Sequence, residues 1–89
     1  MISCIIIDDE KPARESLELI LNYYFSDKVK IVGKAESLKE GVLLIYKYNP
    51  DLVFLDIEMP EENGFMLFNY FQQIKFSVIF TTAYKEYAI

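Results

Sequence analysis

Short continuous apolar runs alternate along this chain with longer stretches in which apolar side chains recur at helical spacing. Residues Ile2–Ile7 are nearly all apolar and rich in β-branched side chains, the pattern of a strand buried on both faces. Pro12 suits the first turn of a following helix, where its missing N–H is not needed. Ala13, Leu17, Ile20, Leu21 and Tyr24 fall on one face of that helix, with Arg14, Glu15 and Glu18 outside. Ser26-Asp27 ends it. Val29, Ile31 and Gly33 then alternate with Lys28, Lys30 and Lys34, as in a short edge strand whose charges oppose aggregation. Ser37-Leu38-Lys39-Glu40 has the form of a capping box, and Leu38, Val42, Ile45 and Tyr48 give the buried stripe of a second helix. Asn49-Pro50 stops it, because a residue before proline is pushed out of helical geometry. Residues 51–56 form a third strand whose Leu52-Val53-Phe54-Leu55 centre needs cover on both faces. Turn residues fill 59–64, and a third helix follows with Leu67, Phe68, Phe71 and Ile74 at helical spacing. Residues 77–81 are a fourth strand, and 84–89 have the look of the first turns of another helix.

The order β-α-β-α-β-α-β with right-handed crossovers predicts one α/β domain over residues 1–89, a doubly wound and mostly parallel sheet. Ligands of such sheets lie beyond the carboxyl ends of the strands, where strand order reverses. Those ends are polar here. Asp8 and Asp9 follow the first strand, Asp56 the third and Thr82 the fourth, so the pattern converges on one small acidic pocket.

Composition narrows the chemistry. With 53% hydrophobic and 16% aromatic residues, three glycines and three prolines, the chain is a packed domain and not a disordered one. A net charge of −5 and no histidine leave no basic footprint for nucleic acid in this segment. Asp8, Asp9, Glu10, Asp56, Glu58, Glu61 and Glu62 crowd around the expected pocket, and clustered like charges call for a cation among them. The lone Cys4 lies in an apolar strand and suits a small buried hydrophobe in a reducing compartment. The N-terminus opens on a strand with no basic-then-apolar leader, and no apolar run reaches membrane-spanning length, so the expectation is a cytoplasmic chain without a membrane partner. A carboxylate can serve as a nucleophile toward phosphorus, and Mg²⁺ takes one or two carboxylates plus waters and phosphate oxygens. Asp56 is the best candidate nucleophile, since it ends the central strand and precedes a Pro/Gly loop that leaves it open.

Ile7-Asp8-Asp9-Glu10, Asp56-Ile57-Glu58-Met59-Pro60 with Asn63-Gly64, and Thr81-Thr82-Ala83 together resemble the receiver domain of two-component response regulators, along the whole chain. The wording Ile7-Asp8-Asp9-Glu10 and Phe80-Thr81-Thr82-Ala83-Tyr84 is further similar to regulators of the LytTR type (LytR/AlgR-like). The resemblance implies a flavodoxin-like sheet of order 2-1-3-4 with the fifth strand absent. It implies Asp56 as phosphoacceptor and metal ligand, Asp9 binding Mg²⁺ directly, Asp8 partly through water, and the Glu58 backbone carbonyl completing the protein ligands. Thr82 would turn its hydroxyl to the phosphoryl group, Ala83 would stay small beside it, and Glu58 and Tyr84 would tune water access. The implied partner is a sensor histidine kinase, with DNA reached only through an output domain that these residues do not include. A complete receiver has a further strand ending in lysine. Lys75 and Lys85, the lysines after Asp56, follow no apolar strand, and the chain stops at Ile89. The expectations are therefore weakened phosphorylation and an apolar edge, Val78-Ile79-Phe80, open to a homodimer or swapped assembly.

Blander roles exist for single residues. Asp8 or Asp9 alone suits the positive end of a helix dipole, Asp56 a strand-end turn and Thr82 a β-former. Glu61 and Glu62 fit solvated loop charges. Two other function classes compete with the signalling domain: a Mg²⁺-dependent phosphohydrolase using an aspartyl phosphate, and an interaction module that is never phosphorylated. Against the enzyme, the chain offers no general acid placed for turnover and no cap over a substrate, and the expectation is a domain that is not an enzyme.

Overall fold

The computed structural model describes residues 1–81. Its elements are β1 (Ile2–Ile7), α1 (Lys11–Tyr24), β2 (Val29–Ala35), α2 (Leu38–Tyr48), β3 (Leu52–Leu55), a 3-10 helix (Gly64–Tyr70) and β4 (Ser77–Phe80). The strands form one sheet of order β2-β1-β3-β4, parallel throughout, as the alternating pattern predicts. The chain moves outward from β1 to β2 and then returns past β1 to β3, so strand order reverses at the β1–β3 boundary.

Two cores lie on opposite faces of the sheet. One packs Ile5, Ile7, Val53 and Leu55 under α2 and the 3-10 helix, which contribute Leu38, Val42, Ile45 and Leu67. The other packs Cys4, Ile6 and Phe54 under Leu21 of α1. Ile5, Ile6, Ile7, Val53, Leu55 and Leu67 are fully buried, and each such side chain contributes about 1.5–3 kcal/mol relative to an exposed one. Cys4 is equally buried, and burial pushes its thiol up to about 11, which suits the inert role expected of it.

The helical stripe expected on α1 is rotated. Leu17 and Leu21 face the sheet, but Ala13 is exposed, and so are Ile20 (48%) and Tyr24 (69%). The inward row is instead Arg14, Leu17, Glu18 and Leu21, at i, i+3, i+4 and i+7. Both charged members have partners that make this orientation possible. Arg14 Nη1 donates to the Asp8 carbonyl at 2.7 Å, and Lys34 Nζ donates to Glu18 at 2.9 Å.

Strand β2 also departs from simple alternation. Pairing runs Cys4↔Ile31 and then Ile5↔Gly33, so Val32 is an extra residue and the strand is bulged. Val29 and Ile31 pack on the α1 side, whereas Gly33 sits against Leu44 and Ala35 enters the α2 core. Helix α2 has the Ser37 half of its capping box, Ser37 Oγ accepting from the Glu40 N–H at 3.2 Å, and Asn49 ends the helix at φ 47° before Pro50. Tyr48 lies off the buried stripe, 42% exposed.

The expected third α-helix is a 3-10 helix that stops at Tyr70. Its repeat of three aligns Gly64, Leu67 and Tyr70 toward the core, and Met66 N–H donates three residues back to the Asn63 carbonyl at 3.0 Å. The same repeat puts Phe65 and Phe68 beside Phe80, with ring centroids 5.1 and 6.4 Å away. An α-helical repeat would break these rows, and Phe, Tyr and Asn favour the α-helix only weakly. Phe68 and Ile74 accordingly remain exposed, while Phe71 leaves the helix to stack on Tyr46 at 5.2 Å. At the sheet's edge, Ile79 and Phe80 of β4 are 48% and 40% exposed. No described helix is long and apolar enough to cross a membrane. The helix expected over 84–89 lies outside the described residues.

Candidate functional site

Strands β1 and β3 are paired in register, Ile7 opposite Leu55, so the chain leaves both at the same level. The Asp56 N–H donates to the Ile7 carbonyl at 3.0 Å and the Asp8 N–H to the Ala35 carbonyl at 3.0 Å. These bonds carry the sheet ladder one step past the apolar residues and deliver both acids to its carboxyl edge. Asp8, Asp9 and Asp56 each bring a carboxylate oxygen within 4.8 Å of the other two. Three of the sequence-derived site residues thus meet at one point.

The cluster is anchored by main-chain donors. Glu10 N–H donates to Asp8 Oδ1 at 2.9 Å, and Glu58 N–H donates to Asp56 Oδ1 at 3.3 Å. Asp9 Oδ1 is buried and has no hydrogen-bond partner. A buried carboxylate oxygen left unpaired is costly unless a cation meets it. Burial, reinforced by the charge of Asp8 and then of Asp9, pushes the Asp56 carboxyl up to about 6, although the Glu58 N–H pulls the other way. Asp8 is also raised, first by burial and next by the charges of Asp9 and Glu10, while the Glu10 N–H and Arg14 oppose the shift. Three converging carboxylates and an orphaned oxygen fit a small hard cation such as Mg²⁺, with open positions left for water or phosphate oxygens.

The loop after β3 closes over the cluster. Gly64 N–H donates to the Ile57 carbonyl at 2.8 Å, and a Cβ on Gly64 would stand 2.3 Å from the Asp56 carbonyl oxygen. Only glycine allows this approach. A cleft of about 350 Å³ opens beside Asp9, between the start of α2 (Ser37, Glu40) and the loop (Met59, Glu62). Glu61 is exposed as expected, but Glu62 is not a free solvated charge: it accepts from the Tyr70 hydroxyl at 2.5 Å.

Two functional neighbours escaped the sequence reading. Arg14 looked like an outward charge, yet its spacing with Leu17 and Leu21 was the available signal that it belongs to the inner row. Gly64 was read as a turn residue and as part of the loop motif but not as a close neighbour of Asp56, since a tertiary approach leaves no mark beyond the glycine itself. Lys75 lies just before β4, lining a groove with Ile45, Tyr46 and Phe76 at the end of the sheet away from the acids. Thr81 N–H donates to the Leu55 carbonyl at 2.9 Å, extending β4 toward the site. Thr82, Ala83, Tyr84 and Lys85 lie outside the described residues.

Comparison with known proteins follows the same lines. The model of the response regulator receiver domain matches residues 4–89. Sensory transduction protein LytT of Bacillus anthracis is 34% identical over 91 residues, covering 100% of this chain and 36% of that protein. Transcriptional regulatory protein BtsR of Escherichia coli K12 is 37% identical over 90 residues, covering 100% of this chain and 37% of BtsR. Among solved structures, the response regulator domain of Thermotoga maritima CheB superposes with a TM-score of 0.84 at 27% identity, over 99% of this chain and 65% of that one. The chain therefore spans little more than a third of the length of these curated relatives.

Proposed function

The chain belongs to the response regulator receiver domain family of two-component systems, and from that premise we propose that Asp56 is its phosphoacceptor, served by Mg²⁺ at Asp8, Asp9 and Asp56. The observation that carries the reading is the meeting of three carboxylates within 4.8 Å around an unpartnered Asp9 oxygen. In the reaction an Asp56 oxygen attacks phosphorus, the bond from phosphorus to the donor nitrogen of a kinase phosphohistidine breaks, and an acyl phosphate remains on Asp56. The bound cation supplies neutralisation of charge on the phosphoryl oxygens. Asp9 and Asp56 would hold it directly, Asp8 partly through water, and the Glu58 backbone carbonyl would complete the protein set. The Glu58 N–H steadies the Asp56 oxygen that it bonds, and Gly64 keeps the loop close to Asp56 without blocking it. By the family resemblance, Thr82 has the role of sensing the phosphoryl group. Lys75 lies toward the other end of the sheet, so it is not placed to share the phosphoryl charge.

Receiver domains are signalling modules, and we assign this one no turnover of its own. Its partner is a sensor histidine kinase, and its compartment the cytoplasm, where Cys4 stays reduced. BtsR is named a transcriptional regulatory protein. By that likeness the parent protein regulates transcription and meets DNA through a region other than these residues, whose net charge is −5. The test is Mg²⁺ titration of the wild type and of Asp9→Ala. The expected result is millimolar-range or tighter binding by the wild type, lost in the variant; equal binding by both would remove the metal site from the account. Sustained release of nitrophenol from p-nitrophenyl phosphate would move the assignment to a phosphohydrolase.

A further inference from the structure

The loop over Asp56 is tied at its two ends by main-chain bonds, Glu58 N–H to Asp56 Oδ1 and Gly64 N–H to the Ile57 carbonyl. Its far side is held to the end of the 3-10 helix by a side-chain bond. Glu62 accepts from the Tyr70 hydroxyl at 2.5 Å, a short bond of the charge-assisted kind. This pairing raises the Tyr70 hydroxyl above its ordinary range, the hydrogen bond to Glu62 being the main cause. The two residues bracket the 3-10 helix, one before its Asn63 cap and one at its last position. Tyr70 is itself fixed to α2, because the Tyr46 hydroxyl donates to the Tyr70 carbonyl at 3.3 Å and the Tyr46 ring stacks on Phe71. A continuous path therefore runs from α2 through Tyr70 to Glu62, which lines the cleft beside Asp9.

We infer that Tyr70 is a positioning residue for the acidic site: by holding Glu62, it sets residues 57–63 over Asp56 and keeps the Glu58 backbone where the cation needs it. The inference rests on the receiver reading for the identity of the cation, but the latch itself is a geometric feature of the loop. Glu62 acts by accepting the Tyr70 hydroxyl and not by a direct attraction of its own to the cation. Outer partners of metal sites commonly control affinity in this indirect way.

The test is a mutant cycle read by Mg²⁺ titration and by amide hydrogen exchange of residues 57–63. Tyr70→Phe keeps the ring and removes only the hydroxyl. It is expected to weaken Mg²⁺ binding about three- to tenfold and to speed exchange in the loop. Glu62→Ala should match it, and the double variant should be no worse than either single one. Glu62→Gln still offers an oxygen to the hydroxyl, in a weaker neutral bond, and should fall between the wild type and Glu62→Ala. Wild-type affinity and loop exchange in Tyr70→Phe would overturn the latch, as would additive effects in the double variant. A Glu62→Gln protein as weak as Glu62→Ala would overturn it too, because charge would then be the cause. If the wild type binds no Mg²⁺, the receiver reading fails by itself, and faster loop exchange in Tyr70→Phe still upholds the latch while unchanged exchange overturns it.

Discussion

To act as the proposed phosphoacceptor Asp56 must be ionised, yet its surroundings favour the protonated acid. Burial and the neighbouring Asp8 and Asp9 raise its carboxyl from an ordinary 3.8 to about 6. A folded-state value above the unfolded one means that protons stabilise the fold. The favourable contribution is complete below about pH 4 and is lost as pH rises through about 6. Without metal, the protein is expected to melt at a higher temperature at pH 5 than at pH 7, and added Mg²⁺ should raise the midpoint more at pH 7 than at pH 5. Asp56→Asn removes the buried charge and should stabilise the metal-free protein at pH 7 by about 1–3 kcal/mol, checked by chemical denaturation. A destabilised Asn variant would mean that repulsion does not govern the cluster. The acids themselves were readable in the sequence, because a carboxylate that ends an apolar strand has a place fixed by the strand. Arg14 and Glu62 were not, since what turned each inward was a partner distant in sequence: the Asp8 carbonyl six residues back and the Tyr70 hydroxyl eight ahead.

Elements with strong local signals formed where the pattern put them. The Ile2–Ile7 run, the Ser37 cap and the Asn49-Pro50 stop each act within a few residues and leave little choice to the rest of the fold. The elements that departed were decided by tertiary contacts. In β2 the bulge at Val32 lets both cores take apolar side chains from one edge strand. In the third helical segment, the row Gly64, Leu67, Tyr70 won over a 3.6-residue stripe because glycine could approach Asp56 and two phenyl rings could meet Phe80. Gly64→Ala tests this at the level of the element. Its methyl group would overlap the Asp56 carbonyl oxygen, so the loop must shift. The expected cost is about 1–3 kcal/mol in stability together with weaker Mg²⁺ binding. A fully stable variant with unchanged affinity would show that the close approach is not required.

Across the whole molecule, parallel order 2-1-3-4 brings the acids of β1 and β3 to one edge; the parallel sheet and its polar strand ends were legible from strand alternation, whereas the order itself was implied by the receiver resemblance. The open apolar β4 edge was expected from the sequence, but the apolar outer side of α1 was not. Exposed Ile79 and Phe80 on the β4 edge, with Leu19, Ile20, Tyr23 and Tyr24 on the outer side of α1, leave apolar area facing water in the 89-residue chain. Self-association through the β4 edge is therefore expected at micromolar concentration, and Ile79→Lys should reduce it. Sedimentation velocity checks this, and a wild-type monomer under those conditions would contradict it. The central claim concerns Asp56. Its most direct test is intact mass after incubation with acetyl phosphate and Mg²⁺, for the wild type and for Asp56→Asn. The account predicts addition of a single phosphoryl group to the wild type, dependent on the metal and absent from the variant. No adduct on the wild type, or the same adduct on Asp56→Asn, would contradict it.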